Sequence, residues 1–135
     1  MLLVATPTLA GQDMAPCAPD TDIAPIAQQF RADRIEALDR NSPRYEDLHR
    51  WNGPLQNLMA SLEGCIVDRH LTRTEVLRLM DAPNEIIESG GRHQAAVVAW
   101  GDRHFIYWWR GGHDYLYFVL RDDRVVGSRW WYAGE

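Results

Sequence analysis

The sequence contains no lysine, and its positive charge is limited to 14 arginines against 19 aspartates and glutamates, for a formal net charge of −5. Nucleic-acid binding requires a clustered basic face that neutralises phosphates, and this composition argues against it. Every cation is a guanidinium, a group that pairs with carboxylates through two hydrogen bonds or stacks on aromatic rings.

The chain also lacks an apolar run long enough to cross a bilayer, which takes about 20 residues. The first ten residues, MLLVATPTLA, are apolar and small and resemble the end of a secretory signal with cleavage after Ala10. A disordered apolar tail is the alternative interpretation. No cysteine directly follows this stretch, which argues against a lipid anchor. We therefore predict a periplasmic or secreted protein without a transmembrane span.

Cysteine is scarce, with only Cys17 and Cys65 in 135 residues. In an exported chain the two would form a disulfide that ties the N-terminal arm to the helical region. In the cytosol they would be separate thiols, and their spacing does not decide between the two states. Export and an even number of cysteines support each other, so we predict the disulfide.

Motifs for catalysis or metal binding are missing as well. No spacing of His, Cys, Asp and Glu resembles a zinc or calcium site, and Gly90-Gly91 and Gly111-Gly112 are hairpin signals, not phosphate loops. His113 and Asp114 would form half of an acid/base pair, but a turn in which Asp114 accepts amide hydrogen bonds is the simpler interpretation. We expect no metal, no cofactor and no catalytic residue.

Helical spacing of apolar residues dominates the first part of the chain. Residues 1–22 are predicted to form a signal-like segment and an extended arm, and residues 23–135 a single domain. A first helix runs from residue 23 to about Asp39. A second stretch begins at Ser42-Pro43, is kinked or divided by Gly53-Pro54, and ends at Gly64. The capping box Thr72–Glu75 begins the last helix, which stops before residue 83.

After residue 83 the period changes from helical to alternating, and short segments follow one another with turns between them. This pattern is typical of an antiparallel meander. The fold class is therefore α+β, with N-terminal helices (23–81) packed on a C-terminal four- to five-stranded antiparallel meander sheet (85–132). The predicted strands are Glu85–Ser89, Ala95–Trp100, Arg103–Trp109, Tyr115–Arg121 and Val125–Tyr132.

Alternation gives this sheet two faces, and neither is plainly polar. One face packs on the helices, and the other exposes Trp, Tyr and Arg, the residue types enriched in binding hot spots. The alternatives are that the helices, or a second copy of the chain in a homodimer, cover that face. In the last strand, alternation places Val126, Trp130 and Tyr132 opposite Val125, Arg129 and Trp131. The candidate binding residues are Tyr107, Trp108, Trp109, Arg110, His113, Tyr115, Tyr117, Arg129 and Trp131.

Two motifs in residues 71–135 resemble a known family. LTRTEVLRLMDAPNEI is similar to the helix and following turn of the SmpA/OmlA-type small outer-membrane assembly lipoproteins, and YLYFVLRDDRVVGSRWW to their final hairpin. The chain departs from the family at Asp81, where a glycine is usual, and in lacking a lipobox cysteine. The β-lactamase inhibitory protein fold uses a similar helix-helix-sheet unit and binds its target with an aromatic concave sheet. The resemblance implies this fold and a non-catalytic periplasmic binding module.

Two kinds of function fit these observations. The first is an extracytoplasmic protein-binding module of the inhibitor, toxin-immunity or envelope-assembly type that uses an aromatic sheet face. The second is a small ligand-binding protein or hydrolase with an aromatic pocket near His113 and Arg110. Arg110 would either clamp an acidic partner or pair within the chain with Asp114 or Asp122, and we expect the pair within the chain. An open aromatic face favours the first function, and a closed pocket with convergent polar groups favours the second.

Overall fold

The computed structural model describes residues 17–93 and 97–133, so the signal-like residues 1–10 lie outside the described part. Helices precede a four-stranded antiparallel sheet whose strands lie in chain order, which confirms the predicted α+β meander. The helices are α1 (Ala24–Glu36), α2 (Tyr45–Leu48), α3 (Pro54–Asp68) and α4 (Arg73–Met80). The strands are β1 (Glu85–Ile87), β2 (Asp102–Arg110), β3 (Asp114–Arg121) and β4 (Arg124–Tyr132).

Local signals account for most helix boundaries. The predicted capping box begins α4: the Thr72 hydroxyl accepts the Glu75 N–H at 3.2 Å, and the Glu75 carboxylate accepts the Thr72 N–H at 3.0 Å. Gly53-Pro54 divides the second stretch into α2 and α3. The prediction that Gly64 ends this stretch is wrong, because α3 continues to Asp68. Glycine costs a helix only about 1 kcal/mol, and burial of the apolar side chains on either side of Gly64 outweighs that cost.

The main core lies between the helices and one face of the sheet. Helices α1 and α4 pack together, α1 packs on α3, and α3 packs on β4. The sheet contributes Phe105, Tyr107, Trp109, Leu116, Phe118 and Leu120 to this core. Tyr107 donates its hydroxyl hydrogen to the Asp81 carbonyl at 2.8 Å, and Trp109 donates its indole N–H to the Leu48 carbonyl at 3.2 Å. Both rings are fully buried, which removes Tyr107 and Trp109 from the candidate binding surface.

A β-bulge in β4 changes which residues share a face. Leu120 pairs with Val125, but the next pair is Val119 with Gly127, so Val126 is an extra residue on β4. The alternation shifts by one position there. Val125 therefore lies in the helix-facing core with Trp130 and Tyr132, while Val126 is 43% exposed. The regular alternation predicted for this strand is wrong at Val125 and Val126.

Cys17 and Cys65 form the predicted disulfide, with Cα atoms 4.9 Å apart and a sequence separation of 48. The bridge ties the chain before α1 to the middle of α3. Within residues 17–93 and 97–133, no helix is both long and apolar enough to cross a bilayer.

Removing this disulfide should destabilise the fold, because the bridge restricts the unfolded chain. The Cys17→Ala/Cys65→Ala variant is expected to lose about 2–4 kcal/mol of unfolding free energy in urea titrations. Thiol labelling of the denatured, non-reduced chain should find no free cysteine. Two labelled thiols, or an unchanged denaturation midpoint in the variant, would contradict the bridge.

A buried carboxyl group joins α3 to β4. Glu63 is almost fully buried; it accepts hydrogen bonds from the Ser128 hydroxyl at 2.6 Å and from the Trp130 indole N–H at 2.9 Å. Burial raises the pKa of Glu63 even though both hydrogen bonds favour its charged form. A carboxyl group whose pKa is raised by folding opposes folding at a pH above its folded pKa, and that penalty disappears as the pH falls.

Replacing Glu63 tests this charge without removing the contacts. Glu63→Gln keeps a polar partner for Ser128 and Trp130, so its unfolding free energy should equal or exceed that of the wild type at pH 8. The difference between the two should shrink by pH 4.5. Glu63→Ala leaves both partners unpaired and should cost about 1–3 kcal/mol at either pH. Equal losses for the two variants at pH 8, measured by urea denaturation, would contradict a buried charge at this position.

Candidate binding site on the second face of the sheet

The face of the sheet that points away from the helices, hereafter the second face, carries a smaller aromatic cluster. Strand register places Trp108, Tyr115 and Trp131 side by side across β2, β3 and β4. The next row contains Ile106, Tyr117 and Arg129, and the row after it contains His104, Val119 and Gly127. Both sides of the sheet are thus apolar over much of their area, as the alternation predicts.

Residues 88–93 and 97–101, hereafter the covering segment, fold back over part of this second face. The Gly90 N–H donates to the Val98 carbonyl at 3.1 Å, and Val98 is buried. The predicted strand Ala95–Trp100 is wrong over residues 97–100, which contain only an isolated bridge from Val97 to Arg92; residues 95 and 96 lie outside the described part. The edge of β2 is already paired with β1, so the expected strand position is taken.

A histidine from the covering segment packs onto the second face. Nε2 of His93 lies 2.6 Å from Nδ1 of His104, and Nδ1 of His93 lies 3.1 Å from the Tyr115 hydroxyl. The His104 ring stacks on Tyr117, with centroids 4.9 Å apart and planes inclined by 21°. Tyr115 and Tyr117, two of the predicted binding residues, are therefore buried beneath this segment.

Both histidines lie in surroundings that disfavour the charged imidazolium. Burial lowers the pKa of His93, and it lowers the pKa of His104 to about 4, with the nearby His93 acting in the same direction. The carboxylates of Glu85 and Asp102, both on the sheet, favour the charged imidazoles and so oppose these pKa shifts. The Asp102 carboxylate also accepts two hydrogen bonds from the Arg121 guanidinium, at 2.8 and 3.0 Å. In the described part of the chain, no three His, Cys, Asp or Glu side chains are grouped to hold a metal ion.

Beside the covering segment, the second face remains open as a groove of about 320 Å³ that reaches strand β4. Gly127 is the position that keeps it open. A Cβ atom added there would meet no other atom within 4 Å, so the missing side chain leaves free space. The groove is lined by Val97, Ala99, Asp102, His104, Tyr117, Val119, Gly127, Ser128 and Arg129.

Three of the predicted binding residues lie at the accessible surface of this face. Trp108 is 38% exposed, Trp131 is partly exposed, and Arg129 is exposed where it lines the groove. The Trp131 indole N–H is buried, with no hydrogen-bond partner in the described part of the chain. The backbone at Gly112 supports the Trp108 ring, since a Cβ there would lie 3.5 Å from it.

Arg110 and His113 lie at the end of the sheet. Arg110 Nε donates to Asp114 Oδ2 at 2.6 Å, which confirms the predicted pair within the chain, and its guanidinium lies over the Trp109 ring at 4.4 Å. The other Asp114 oxygen accepts the Ala133 N–H at 2.9 Å. Both oxygens of the carboxylate are therefore engaged in structure, and His113 is exposed in the turn before β3. This arrangement supports the turn interpretation over an acid/base pair.

His93, Val97 and Gly127 were not among the candidate residues, yet they shape the groove. His93 and Val97 belong to no regular strand, so alternation gives no information about where they lie. Gly127 carried a usable signal, because a glycine inside a strand indicates a bulge or an open space.

Replacing His104 should weaken the effect of acid on stability. The pKa values of both histidines lie below 6.5 in the fold, so the unfolded chain binds more protons and the unfolding free energy falls as pH falls from about 6.5 towards 4. His104→Phe preserves a ring that stacks on Tyr117 and removes one of these groups. Urea midpoints at pH 7, 5.5 and 4.5 should fall less steeply for the variant. Parallel curves for variant and wild type would contradict the assignment.

No protein-family model, curated protein or solved structure matches this chain. The resemblance of residues 71–135 to the SmpA/OmlA-type lipoproteins therefore stays a prediction. Function has to be inferred from the geometry of the two aromatic surfaces.

Proposed function

We propose that this chain is an extracytoplasmic protein-binding module that holds a short extended segment of a partner protein in the groove on the second face. The observation that supports this proposal most directly is the open groove beside β4, which has an apolar floor and free space at Gly127. It lies on the same face as the partly exposed Trp108 and Trp131.

The groove has the dimensions and shape of a peptide site. An extended chain rises about 3.3 Å per residue, so a volume of about 320 Å³ holds a few residues of a partner strand. Tyr117 and Val119 form part of the floor and provide apolar contact. The space at Gly127 would receive one apolar side chain from the partner.

Arg129 gives this groove its charge preference. Its guanidinium is exposed at the groove, and a guanidinium binds a carboxylate through two parallel hydrogen bonds. Asp102, the acidic residue of the lining, is already paired with Arg121. We therefore expect the bound segment to carry an apolar residue next to an aspartate, a glutamate or a C-terminal carboxylate.

Three observations support an exported, non-catalytic role. The Cys17–Cys65 disulfide is typical of proteins that fold in oxidising compartments, and the apolar start of the sequence resembles a secretory signal. The two histidines beside the groove are engaged with each other and with tyrosine side chains, His93 with Tyr115 and His104 with Tyr117. A binding module of this kind agrees with the mode of action that the family resemblance implies.

Filling the groove tests the proposal. Gly127→Phe places a ring in free space next to the bulge of β4, so folding should be preserved. Peptides selected on the wild-type protein from a random display library should bind this variant at least about tenfold more weakly. Val126→Phe is the matched control: it adds the same ring to the neighbouring, exposed position of β4, which does not line the groove. It should bind like the wild type in fluorescence polarisation.

A second variant addresses charge and protects the test if Gly127→Phe is unstable. Arg129→Glu alters an exposed side chain and should reverse the preference of the selected peptides from acidic to basic. Peptides that bind Gly127→Phe and the wild type equally well, or whose charge preference is unchanged by Arg129→Glu, would refute the proposed site.

A further inference from the structure

A second aromatic cavity lies on the helix side of β4, away from the groove. It has a volume of about 380 Å³ and is open to solvent beside the start of α3; this is the α3 pocket. Three aromatic rings line it, Trp51, Trp130 and Tyr132, together with three carboxamides, Asn52, Gln56 and Asn57. We propose that the α3 pocket binds a neutral carbohydrate, with a pyranose ring packed on the aromatic side chains.

The three rings form one continuous aromatic cluster along the pocket. Trp130 and Tyr132 lie nearly parallel, with centroids 5.7 Å apart and planes inclined by 11°. Trp51 lies 4.7 Å from Tyr132 at an inclination of 50°, and it is 40% exposed. The face of an aromatic ring is its electron-rich side, and it attracts the weakly positive C–H groups on the flat face of a sugar ring.

The polar part of the pocket is uncharged. Among residues 17–93 and 97–133, no Asp, Glu, Lys, Arg or His is part of its lining, so this lining offers no counter-ion to an ionic ligand. A carboxamide both donates and accepts hydrogen bonds, and so does a sugar hydroxyl. Asn57 uses its amide hydrogen on the Asn52 carbonyl at 3.0 Å and still offers its own oxygen. This pairing of rings with carboxamides selects a neutral ligand rich in hydroxyl groups.

The loop that carries Trp51 is built for one conformation. Asn52 adopts a left-handed backbone with φ of 56°, and its N–H donates to the Gln56 side-chain oxygen at 2.6 Å. Gly53 is required next to it, because a Cβ there would lie 2.4 Å from the Asp47 carbonyl oxygen. This constrained backbone fixes the position of Trp51 before a ligand binds.

The rings themselves are also held in place. The Arg110 guanidinium lies over the Trp51 ring, 5.1 Å from its centroid. Trp51 also packs against Trp109 in an edge-to-face contact. The indole N–H of Trp130 donates to the buried Glu63. Because the rings are already in place, less conformational entropy is lost when a ligand binds. This lower cost helps a ligand that makes only weak contacts, such as a sugar.

Calorimetric titration of the full chain with chitotetraose, cellotetraose and maltotetraose tests the proposal. At least one of these neutral oligosaccharides should bind saturably with a dissociation constant below about 1 mM. Trp51→Ala should weaken that binding by about tenfold or more, as expected for the loss of an aromatic stack. Trp100→Ala is the control, because Trp100 is 90% exposed and lies outside the pocket, and it should bind like the wild type.

Three further measurements keep the result interpretable. Asn57 is exposed, so Asn57→Ala should fold normally and still weaken binding several-fold if Trp51→Ala proves unstable. In proton–nitrogen spectra the indole signals of Trp51 and Trp130 should shift on addition of the sugar, and that of Trp100 should not. Gly127→Phe should bind the sugar normally, since Gly127 lies on the opposite face of β4.

The proposal is overturned if none of the three oligosaccharides binds at millimolar concentration, or if Trp51→Ala and Trp100→Ala bind equally well. It is also overturned if a polyproline peptide shifts the Trp51 and Trp130 signals while the sugars do not, because such peptides also pack on aromatic rings.

Discussion

The structure depends on one constraint: the sheet has two apolar faces, and the helices cover only one of them. On strand β2 the alternation of Phe105 and Tyr107 with Ile106 and Trp108 sends large side chains in both directions. The helices bury the first set completely. The remaining face must be covered by other parts of the chain or stay accessible. Both are seen here, since residues 88–93 and 97–101 cover part of it and leave a groove along β4.

Burial on the second face is what makes the His93–His104 contact unusual. Two imidazoles lie within hydrogen-bonding distance of each other, and desolvation lowers the pKa of both. The pair thereby attaches a loop with little regular structure to the sheet. Polar groups play the same part elsewhere: Glu63 links α3 to β4, and Asp33 links α1 to the loop before α2 through Arg44 at 2.9 and 3.1 Å.

Much of the fold could be predicted from the sequence, because its signals are local. The Thr72–Glu75 capping box and the strand alternation depend on neighbouring residues only. The capping box is confirmed, and so is the alternation except at Val125 and Val126. The turn at Asp122-Asp123 has positive φ at both positions, as a tight two-residue hairpin requires. The predictions are wrong where the structure depends on contacts between residues that are far apart in the sequence. The bulge at Val126 depends on pairing with β3, and the length of α3 depends on burial against its neighbours.

The candidate site could be predicted only in part, for the same reason. Trp108, Arg129 and Trp131 follow from alternation and lie at the accessible part of the second face. Alternation places Tyr107 and Trp109 together on the other face of β2, but nothing in the sequence says which face the helices cover. The α3 pocket combines a helix start with the last strand, so its rings and carboxamides are far apart in the chain.

Hydrogen–deuterium exchange of the protein, alone and with a selected peptide bound, tests the use of the second face most directly. Binding in the groove predicts slower exchange in residues 97–101 and 127–131, with no change in α1 or α3. Protection confined to the helices, or equal protection across the whole chain, would contradict a binding site on the second face.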